Sequence, residues 1–274
     1  MFGWECEEKY KHCRNKQTTI HAATPPCGVL ASARSIAYYR GMKRNRVLLF
    51  AFGLAASLAV LYGVTRPGWD VANLAAAREH DRLLVVLPEK AEKAKATLRA
   101  FAKKDGTWRE VFTAGGFVGY AGIATAKKEG DGATPQGAFT LRRAFGTAEN
   151  PGTRLPYTAI DAGDVWVDDP ASRHYNTMVK RDAPGKDWGT AEDLAQETTA
   201  YKYAVVIEYN TAPVVNGAGS AIFLHCAVGR PTAGCVSVAE ADMVRLLRFL
   251  EPGDAIVIAA SPADLRAMYA PDDK

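Results

Sequence analysis

The feature that most constrains the fold of this 274-residue chain is a series of short apolar runs separated by turns. AVVIEY (204–209), AIFLH (221–225) and AIVIA (255–259) are continuous apolar runs with the length of buried strands. Upstream, LLVVLP (83–88) ends its apolar run at a proline, and AFTL (138–141) follows a stretch of dense turn chemistry. Both are therefore also predicted to be strands. The pattern predicts a mainly β (α+β) fold.

A hairpin is predicted across residues 97–114. Asp105-Gly106 is a strong turn signal, and the segments on either side alternate between apolar and polar residues. The Ala- and Lys-rich stretch 89–104 also has a helical composition, so a helix there is the alternative. Residues 145–203 are irregular and rich in Asp, Pro and Gly, and loops of this length often carry function.

One helix is predicted near the C-terminus, beginning directly after Cys235. Ser237 and Glu240 form an S-x-x-E capping box, and Pro252-Gly253 supplies a stop signal. Between them apolar residues recur at helical spacing: Met243, Leu246, Leu247 and Leu250.

A cysteine and a histidine stand close together in IFLHCAVGRPTAGCVS, residues 222–237. His225 ends an apolar strand, and Cys235 directly precedes the predicted helix. A helix N-terminus favours a thiolate, and its free N–H groups, together with the Gly234 amide, can stabilise an oxyanion. Cys235 and His225 therefore fit an activated nucleophile and its base.

Three other interpretations of this stretch stay open. His225 and a cysteine can form half of a metal site, but residues 222–239 contain no Asp or Glu, and no third ligand is apparent. His225 alone can be a core histidine. Cys226 and Cys235 can form a disulfide in an oxidising compartment, which would silence both thiols.

The N-terminal region indicates export. A basic stretch begins at Met42, and an uninterrupted apolar segment of 18 residues follows at 47–64. The pair is typical of a signal peptide or a membrane anchor, with cleavage left open. Residues 1–41 are then a non-structural N-terminal extension, residues 42–64 the signal or anchor, and residues 65–81 a linker.

The charge balance excludes one class of partner. The chain has 34 basic and 30 acidic residues, but residues 1–65 hold nine of the basic and only three of the acidic ones. The remainder carries 25 basic and 27 acidic residues and is close to neutral. No basic face for nucleic acid is predicted.

Four separated motifs resemble the L,D-transpeptidase catalytic domain, also called the YkuD domain. They occur in the family's order and together cover roughly residues 82–260. The motifs are DGATPQGAFTL (131–141), VWVDDPASRHYNTMV (165–179), GAGSAIFLH (217–225) and PTAGCV (231–236). The common family motif is [S/T]-H-G-C-x-R, and here Ala233 replaces its histidine and Ser237 its arginine.

The resemblance implies a β-sandwich catalytic domain at 82–260, with a short helix after the cysteine and a C-terminal tail at 261–274. It places the family nucleophile on Cys235, the proton acceptor on His225 and the glycine before the nucleophile on Gly234. Oxyanion contacts are expected from the amides of Gly234 and Cys235.

The chemistry implied by the resemblance is cross-linking of peptidoglycan stem peptides through a thioester, without a metal or cofactor. The expected location is the periplasm or cell envelope, with contact to the cytoplasmic membrane through 47–64 if that segment is uncleaved. Hydrolysis of the same acyl-enzyme, as in a carboxypeptidase or endopeptidase, and a non-catalytic cell-wall binding module stay open as alternatives.

Substrate contacts are predicted less directly. Tyr175, Asn176 and Asp169, together with the neighbouring Asp168, are candidates to line the groove and hold the amine of a stem peptide. Their alternative role is to stabilise a loop. Thr232 fits the first position of the family motif, and Arg230 is a candidate partner for a substrate carboxylate or a solvated side chain.

Overall fold

The computed structural model describes residues 68–271, and its dominant element is one large sheet. Fourteen strands lie within this range. They are β1 Arg82–Glu89, β2 Glu92–Lys104, β3 Thr107–Phe117, β4 Gly122–Ala124, β5 Ala133–Pro135, β6 Gly137–Gly146, β7 Tyr157–Ala159, β8 Asp164–Val167, β9 Met178–Lys180, β10 Ala191–Asp193, β11 Ala204–Ile207, β12 Phe223–Cys226, β13 Val236–Val238 and β14 Asp254–Ile258. Helix α1 spans Glu240–Phe249 and helix α2 spans Pro262–Ala267.

The large sheet closes on itself. Its strand order is β11-β12-β13-β3-β2-β1-β14-β6-β7, and β11 pairs with β6 as well as with β12. The enclosed core combines inward-facing strand residues such as Leu84, Leu98 and Leu224 with Met243 and Leu246 of helix α1. Two smaller sheets, β10-β8-β9 and β4-β5, lie in the connections. The predicted mainly β fold is confirmed.

The predicted strands and the hairpin are confirmed. The runs at 83–88, 138–141, 204–209, 221–225 and 255–259 correspond to β1, β6, β11, β12 and β14. Strands β2 and β3 pair as an antiparallel hairpin, and the stretch 89–104 contributes to it instead of forming a helix. Asp105 and Gly106 both have positive φ, 51° and 74°, the backbone conformation of a tight hairpin turn.

The predicted start of the helix is wrong. Strand β13 lies between Cys235 and helix α1, which begins at Glu240 and has Ala239 as its N-cap without a side-chain hydrogen bond. Ser237 does not cap the helix, because it is buried within β13 and its Oγ has no hydrogen-bond partner. Pairing of β13 with β12 and β3 overrides the local capping pattern.

Packed elements also lie on both sides of residues 82–260. Two short 3₁₀ helices, Val71–Asn73 and Ala75–Arg78, occupy part of the segment assigned to a linker. Their apolar residues pack with Leu265 of α2 against the outer face of β1 and β14. The predicted extension and the signal or anchor at 42–64 lie outside the described residues. Within the described range, no helix has the length and apolar character needed to cross a membrane.

Two adjacent glycines at the end of β3 differ in their surroundings. A Cβ at Gly116 would lie 1.9 Å from the backbone oxygen of Ser237 in β13, whereas a Cβ at Gly115 would meet nothing within 4 Å. Gly116 is therefore required for β3 to approach β13, the strand that directly follows Cys235.

We predict that Gly116→Ala lowers the free energy of unfolding by about 1 to 3 kcal/mol, because the added methyl forces β3 and β13 apart. Gly115→Ala is the matched control and should change it by less than about 0.5 kcal/mol. Urea denaturation of both variants measures the difference. Equal effects would contradict the close approach of the two strands.

Candidate active site

A cavity of about 560 Å³ opens at the end of β12 and beside the loop that precedes β13. Its volume is within the usual range for small-ligand sites. Cys235 and His225 both line it. Other walls come from the turn before β5 and from the irregular segment that sequence analysis associated with function: Tyr120, Lys127, Glu129, Asp168, Glu192, Glu197 and Tyr201.

Strand pairing places Cys235 next to Phe223. Strands β12 and β13 run parallel, with Leu224 opposite Val236, so the preceding residues Phe223 and Cys235 are also neighbours. The Phe223 amide donates to Cys235 Sγ at 3.3 Å, and the Sγ–H donates to the Ala221 carbonyl at 3.2 Å. These contacts fix the sulfur as a buried thiol beside β12.

His225 lies on the same face of β12 as Phe223, because alternate residues of a strand share a face. Its Nδ1 is 2.8 Å from the Cys226 carbonyl, which only accepts, so Nδ1 carries the proton and Nε2 is left as the base. The imidazole packs edge-on against Tyr201 with ring centroids 5.5 Å apart. Burial lowers the pKa of His225, so the ring is neutral at pH 7.

The Cys235 and His225 side chains are not hydrogen-bonded to each other among the described contacts. Phe223 and His225 are two residues apart on one strand, a separation of roughly 7 Å along the backbone. Catalytic hydrogen bonds are often long or absent without substrate and form only in the complex. The arrangement thus puts a thiol and an imidazole in one cavity without a direct hydrogen bond.

The thiolate expected for Cys235 in the resting enzyme is not supported. Burial, together with the negative charge of Glu192, raises the pKa of Cys235 to about 12 against the opposing effects of the Phe223 amide and Lys127. No helix N-terminus adjoins the sulfur, since α1 begins five residues later. The resting pair is therefore a neutral thiol and a neutral imidazole.

Cys226 points to the opposite side of β12. It packs in the core enclosed by the sheet, whereas Cys235 belongs to a separate cluster with Phe223 and Tyr201. Both cysteines are free thiols. A disulfide between them is incompatible with this arrangement. The described residues also contain no group of three or more His, Cys, Asp or Glu side chains able to hold a metal ion.

Two threonines hold the loop before β13. The Thr232 hydroxyl donates to the Cys235 carbonyl at 2.6 Å, and the Thr134 hydroxyl donates to the same oxygen at 3.3 Å. Gly234 has φ +152°, and a Cβ there would lie 3.0 Å from the Ala133 carbonyl oxygen. Its amide donates to Thr232 Oγ1 at 3.2 Å, so an oxyanion contact from Gly234 requires that bond to be exchanged.

One known family matches most of this domain. The family model of the L,D-transpeptidase catalytic domain, YkuD, matches residues 91–258. The chain belongs to the YkuD family of L,D-transpeptidase catalytic domains. No curated protein matches the chain.

Solved structures also match the domain. A fused zinc-dependent amidase/peptidase/peptidoglycan-binding domain-containing protein from Clostridium acetobutylicum has 13% identity and a TM-score of 0.31, covering 79% of this chain and 63% of its own. Bd1075 from Bdellovibrio bacteriovorus has 14% identity and a TM-score of 0.35, and the match covers 68% of this chain and 52% of Bd1075. L,D-transpeptidase 1 from Mycobacterium tuberculosis has 11% identity and a TM-score of 0.30, and the match covers 65% of this chain and 62% of that protein. The chain spans less than two thirds of each.

The predicted substrate contacts of the L,D-transpeptidase domain separate into two groups. Arg230 and Thr232 line the cavity, Arg230 as an exposed residue. Tyr175, Asn176 and Asp169 do not line it. Asp169 accepts hydrogen bonds from the amides of Ala171 and Gly189 and so organises its own loop. The neighbouring Asp168 does line the cavity.

Tyr175 and Asn176 support the segment that leads into β12. The Tyr175 hydroxyl donates to Glu129, and Ser220 donates to the same Glu129 oxygen at 2.7 Å. Buried Asn176 has φ 60°, and its Oδ1 accepts from the Trp166 indole and the Ala221 amide. Its Nδ2 donates to two backbone carbonyls, those of Tyr209 and Asn210. Both residues position the peptide that contacts the Cys235 sulfur.

Sequence reasoning missed Lys127, Glu129, Glu192 and Tyr201. Lys127 is buried and forms an ion pair of 2.8 Å with Asp131, and Tyr201 donates a hydrogen bond to Glu192. For Lys127 the sequence offered one signal, because it stands four residues before Asp131 of the turn motif. The other positions lie in irregular segments, where no periodicity indicates which side chains point inward.

Alkylation of Cys235 tests its raised pKa. We predict that its rate with iodoacetamide keeps rising from pH 6 to pH 10 without a plateau, because only the thiolate reacts and the thiol pKa is about 12. Peptide mass mapping of Cys235 measures the rate, with a short cysteine peptide of ordinary pKa as the control. Glu192→Gln should increase the Cys235 rate above pH 7, where it removes the negative charge of Glu192, whose pKa is raised to about 7 by burial. A plateau below pH 8 would contradict the neutral resting thiol.

Asn176→Ala should lower the free energy of unfolding by about 3 kcal/mol or more, because four backbone and side-chain groups, one buried and three partly buried, lose their hydrogen-bond partner and alanine is strained at positive φ. Asn150→Ala, which removes an exposed turn acceptor for the Gly152 amide, is the control and should cost less than about 1 kcal/mol. Chemical denaturation measures both. An unchanged stability with a raised KM for peptide would instead indicate direct substrate contact.

Proposed function

We propose that this domain is a peptidoglycan L,D-transpeptidase in which Cys235 is the nucleophile and His225 the general base. The observation that carries the proposal is that a buried thiol and a neutral imidazole with a free Nε2 line one cavity in a domain of this family. The substrate is a stem peptide, and the product is a cross-link between two stems.

Burial explains why the base is needed. Ionising Cys235 alone would place an uncompensated charge in a site where the thiol pKa is about 12. Transfer of the Sγ proton to His225 Nε2 during attack creates an imidazolium beside the developing negative charge, so neither charge forms alone.

The first half-reaction forms a thioester. Sγ attacks the carbonyl of the third stem residue, His225 receives the thiol proton, and the negative charge passes to the carbonyl oxygen. The amides of Gly234 and Cys235 are the proposed donors to that oxyanion. The C–N bond to the terminal D-alanine then breaks, and the departing amine takes the proton from His225.

The second half-reaction resolves the thioester. The amino group of a second stem attacks the thioester carbonyl and gives a proton to His225, and the C–S bond breaks with return of that proton to Cys235. Water in place of the amine would give a trimmed stem, so the same acyl-enzyme supports a carboxypeptidase. Incubation with muropeptides and mass spectrometry of the products separates cross-linking from trimming.

The proposed location is the periplasm or cell envelope, where peptidoglycan lies outside the cytoplasmic membrane. The support is the basic stretch at Met42 followed by the apolar segment 47–64. If that segment is uncleaved, it anchors the domain in the membrane.

Cys235→Ala should abolish formation of a covalent adduct with a stem peptide or a carbapenem, and Cys226→Ala is the matched control that should retain it. The reason is that the two cysteines lie on opposite sides of β12 and only Cys235 lines the cavity. His225→Ala should slow acylation roughly 10²- to 10⁴-fold with a smaller effect on binding. Intact-protein mass spectrometry follows the adduct. Equal loss in both cysteine variants would contradict Cys235 as sole nucleophile.

A further inference from the structure

One wall of the active-site cavity is acidic. It carries four carboxylates, of which Glu129 is already engaged by the hydroxyls of Tyr175 and Ser220. The others are Asp168, Glu192 and Glu197. Negative charge on Glu129, Asp168 and Glu197 acts on Glu192, so the four groups are close enough to interact.

Strand pairing brings Asp168 and Glu192 together. In the small sheet, Glu192 of β10 lies opposite Trp166 of β8. Asp168 is two residues beyond Trp166 and shares its side of the chain by the alternation of an extended segment. Asp168 and Glu192 are therefore diagonal neighbours, within reach of one small group.

These carboxylates have no cationic partner among the described residues. The basic side chains of the cavity are Lys127, which is paired with Asp131, and Arg230, which is exposed. Glu192 accepts a hydrogen bond from Tyr201 only, and Asp168 Oδ1 is buried with no hydrogen-bond partner at all. A buried carboxylate oxygen without a donor is costly, so this wall lacks a ligand that donates hydrogen bonds and carries positive charge.

We infer that Asp168 and Glu192 are specificity-determining residues that bind a primary ammonium group of the peptide substrate beside Cys235. This inference rests on the proposed function. An ammonium offers three donors in a compact cation, which suits two neighbouring carboxylates. A metal ion fits less well, because the described residues provide no cluster with metal-ligand geometry.

Binding of the cation also affects the nucleophile. Negative charge on Glu192 raises the pKa of Cys235, so an ammonium that neutralises this charge makes the thiol easier to ionise. The groups that face Glu192 are Tyr201, Cys235 and the three other carboxylates. A cationic substrate is thus held beside Cys235 by the carboxylates, and its charge also favours loss of the Sγ proton.

The first arm of the test uses two donor peptides of equal length, one with a free side-chain ammonium on its third residue and one with that amine acetylated. The readout is the ratio of their acylation rates at Cys235 by intact-protein mass spectrometry. This ratio does not depend on the fraction of active protein. The wild type should prefer the free amine by roughly tenfold to a hundredfold, the range of one charged hydrogen bond.

Glu192→Gln and Asp168→Asn should each reduce this preference to less than about threefold. The Glu192→Gln side chain keeps an acceptor for the Tyr201 hydroxyl. A reduced preference for the free amine in this variant would therefore result from the lost negative charge and not from a lost hydrogen bond. Glu149→Gln, an exposed carboxylate that does not line the cavity, is the matched control and should keep the wild-type ratio.

The second arm distinguishes the acceptor as the source of the ammonium. The acyl-enzyme is formed from the acetylated donor, and its aminolysis by a peptide amine is compared with its hydrolysis. A fall in aminolysis relative to hydrolysis in Glu192→Gln assigns the site to the acceptor, whereas a loss of donor preference in the first arm assigns it to the donor. Either result supports the inference.

Two outcomes would overturn it. Equal acylation of the wild type by both donors, with an unchanged aminolysis ratio in Glu192→Gln and Asp168→Asn, overturns the ammonium site and leaves the proposed function intact. No acylation of the wild type by either donor overturns the proposed function and the inference with it.

Discussion

The parallel pairing of β12 with β13 is the contact on which the active site depends. The connection between the two strands returns so that Cys235 meets Phe223, while His225 stays on the same face two residues further along. Because both strands belong to a closed sheet, neither can shift register without disturbing the enclosed core that includes Leu224 and Val236. The relative position of Cys235 and His225 is thus set by backbone pairing.

The same pairing requires close support from distant segments. Gly116 of β3 lets the neighbouring strand approach β13, and Thr134 donates to the Cys235 carbonyl from 101 residues upstream in the chain. Asn176, in the left-handed conformation, binds the Ala221 amide and so holds the carbonyl that accepts from the Cys235 thiol. Asn176, a candidate substrate contact in the sequence, thus supports the backbone beside the Cys235 sulfur.

The sequence predicted those features that depend mainly on residues close together in the chain. Strands, the hairpin at Asp105-Gly106 and the proximity of Cys235 and His225 depend on neighbours in the chain, and these elements were predicted. The start of helix α1 was not, because the S-x-x-E pattern at Ser237 is a local preference that strand pairing overrides.

The acidic wall could not be predicted for a related reason. Asp168 and Glu192 lie 24 positions apart in an irregular segment, and only the pairing of β8 with β10 makes them neighbours. The direction of the pKa shift of Cys235 also depends on tertiary structure, since burial and Glu192 decide it more than any adjacent residue. Sequence motifs therefore indicated Cys235 and His225 as candidate reacting groups but did not indicate their environment.

Burial of the thiol makes its reactivity conditional. A cysteine with a pKa of about 12 is almost entirely protonated at neutral pH, and a protonated thiol reacts slowly with oxidants and alkylating agents. Reaction with a substrate then needs a group that takes the proton and a change in the local field. In the proposed mechanism, His225 supplies the first through its free Nε2, and neutralisation of Glu192 supplies the second. Glu192 is itself only partly ionised near neutral pH, because burial raises its pKa to about 7, so a bound cation also draws it towards the charged form. Under the proposed function, the carboxylate that raises the thiol pKa is therefore also the group that attracts the cationic substrate able to lower it.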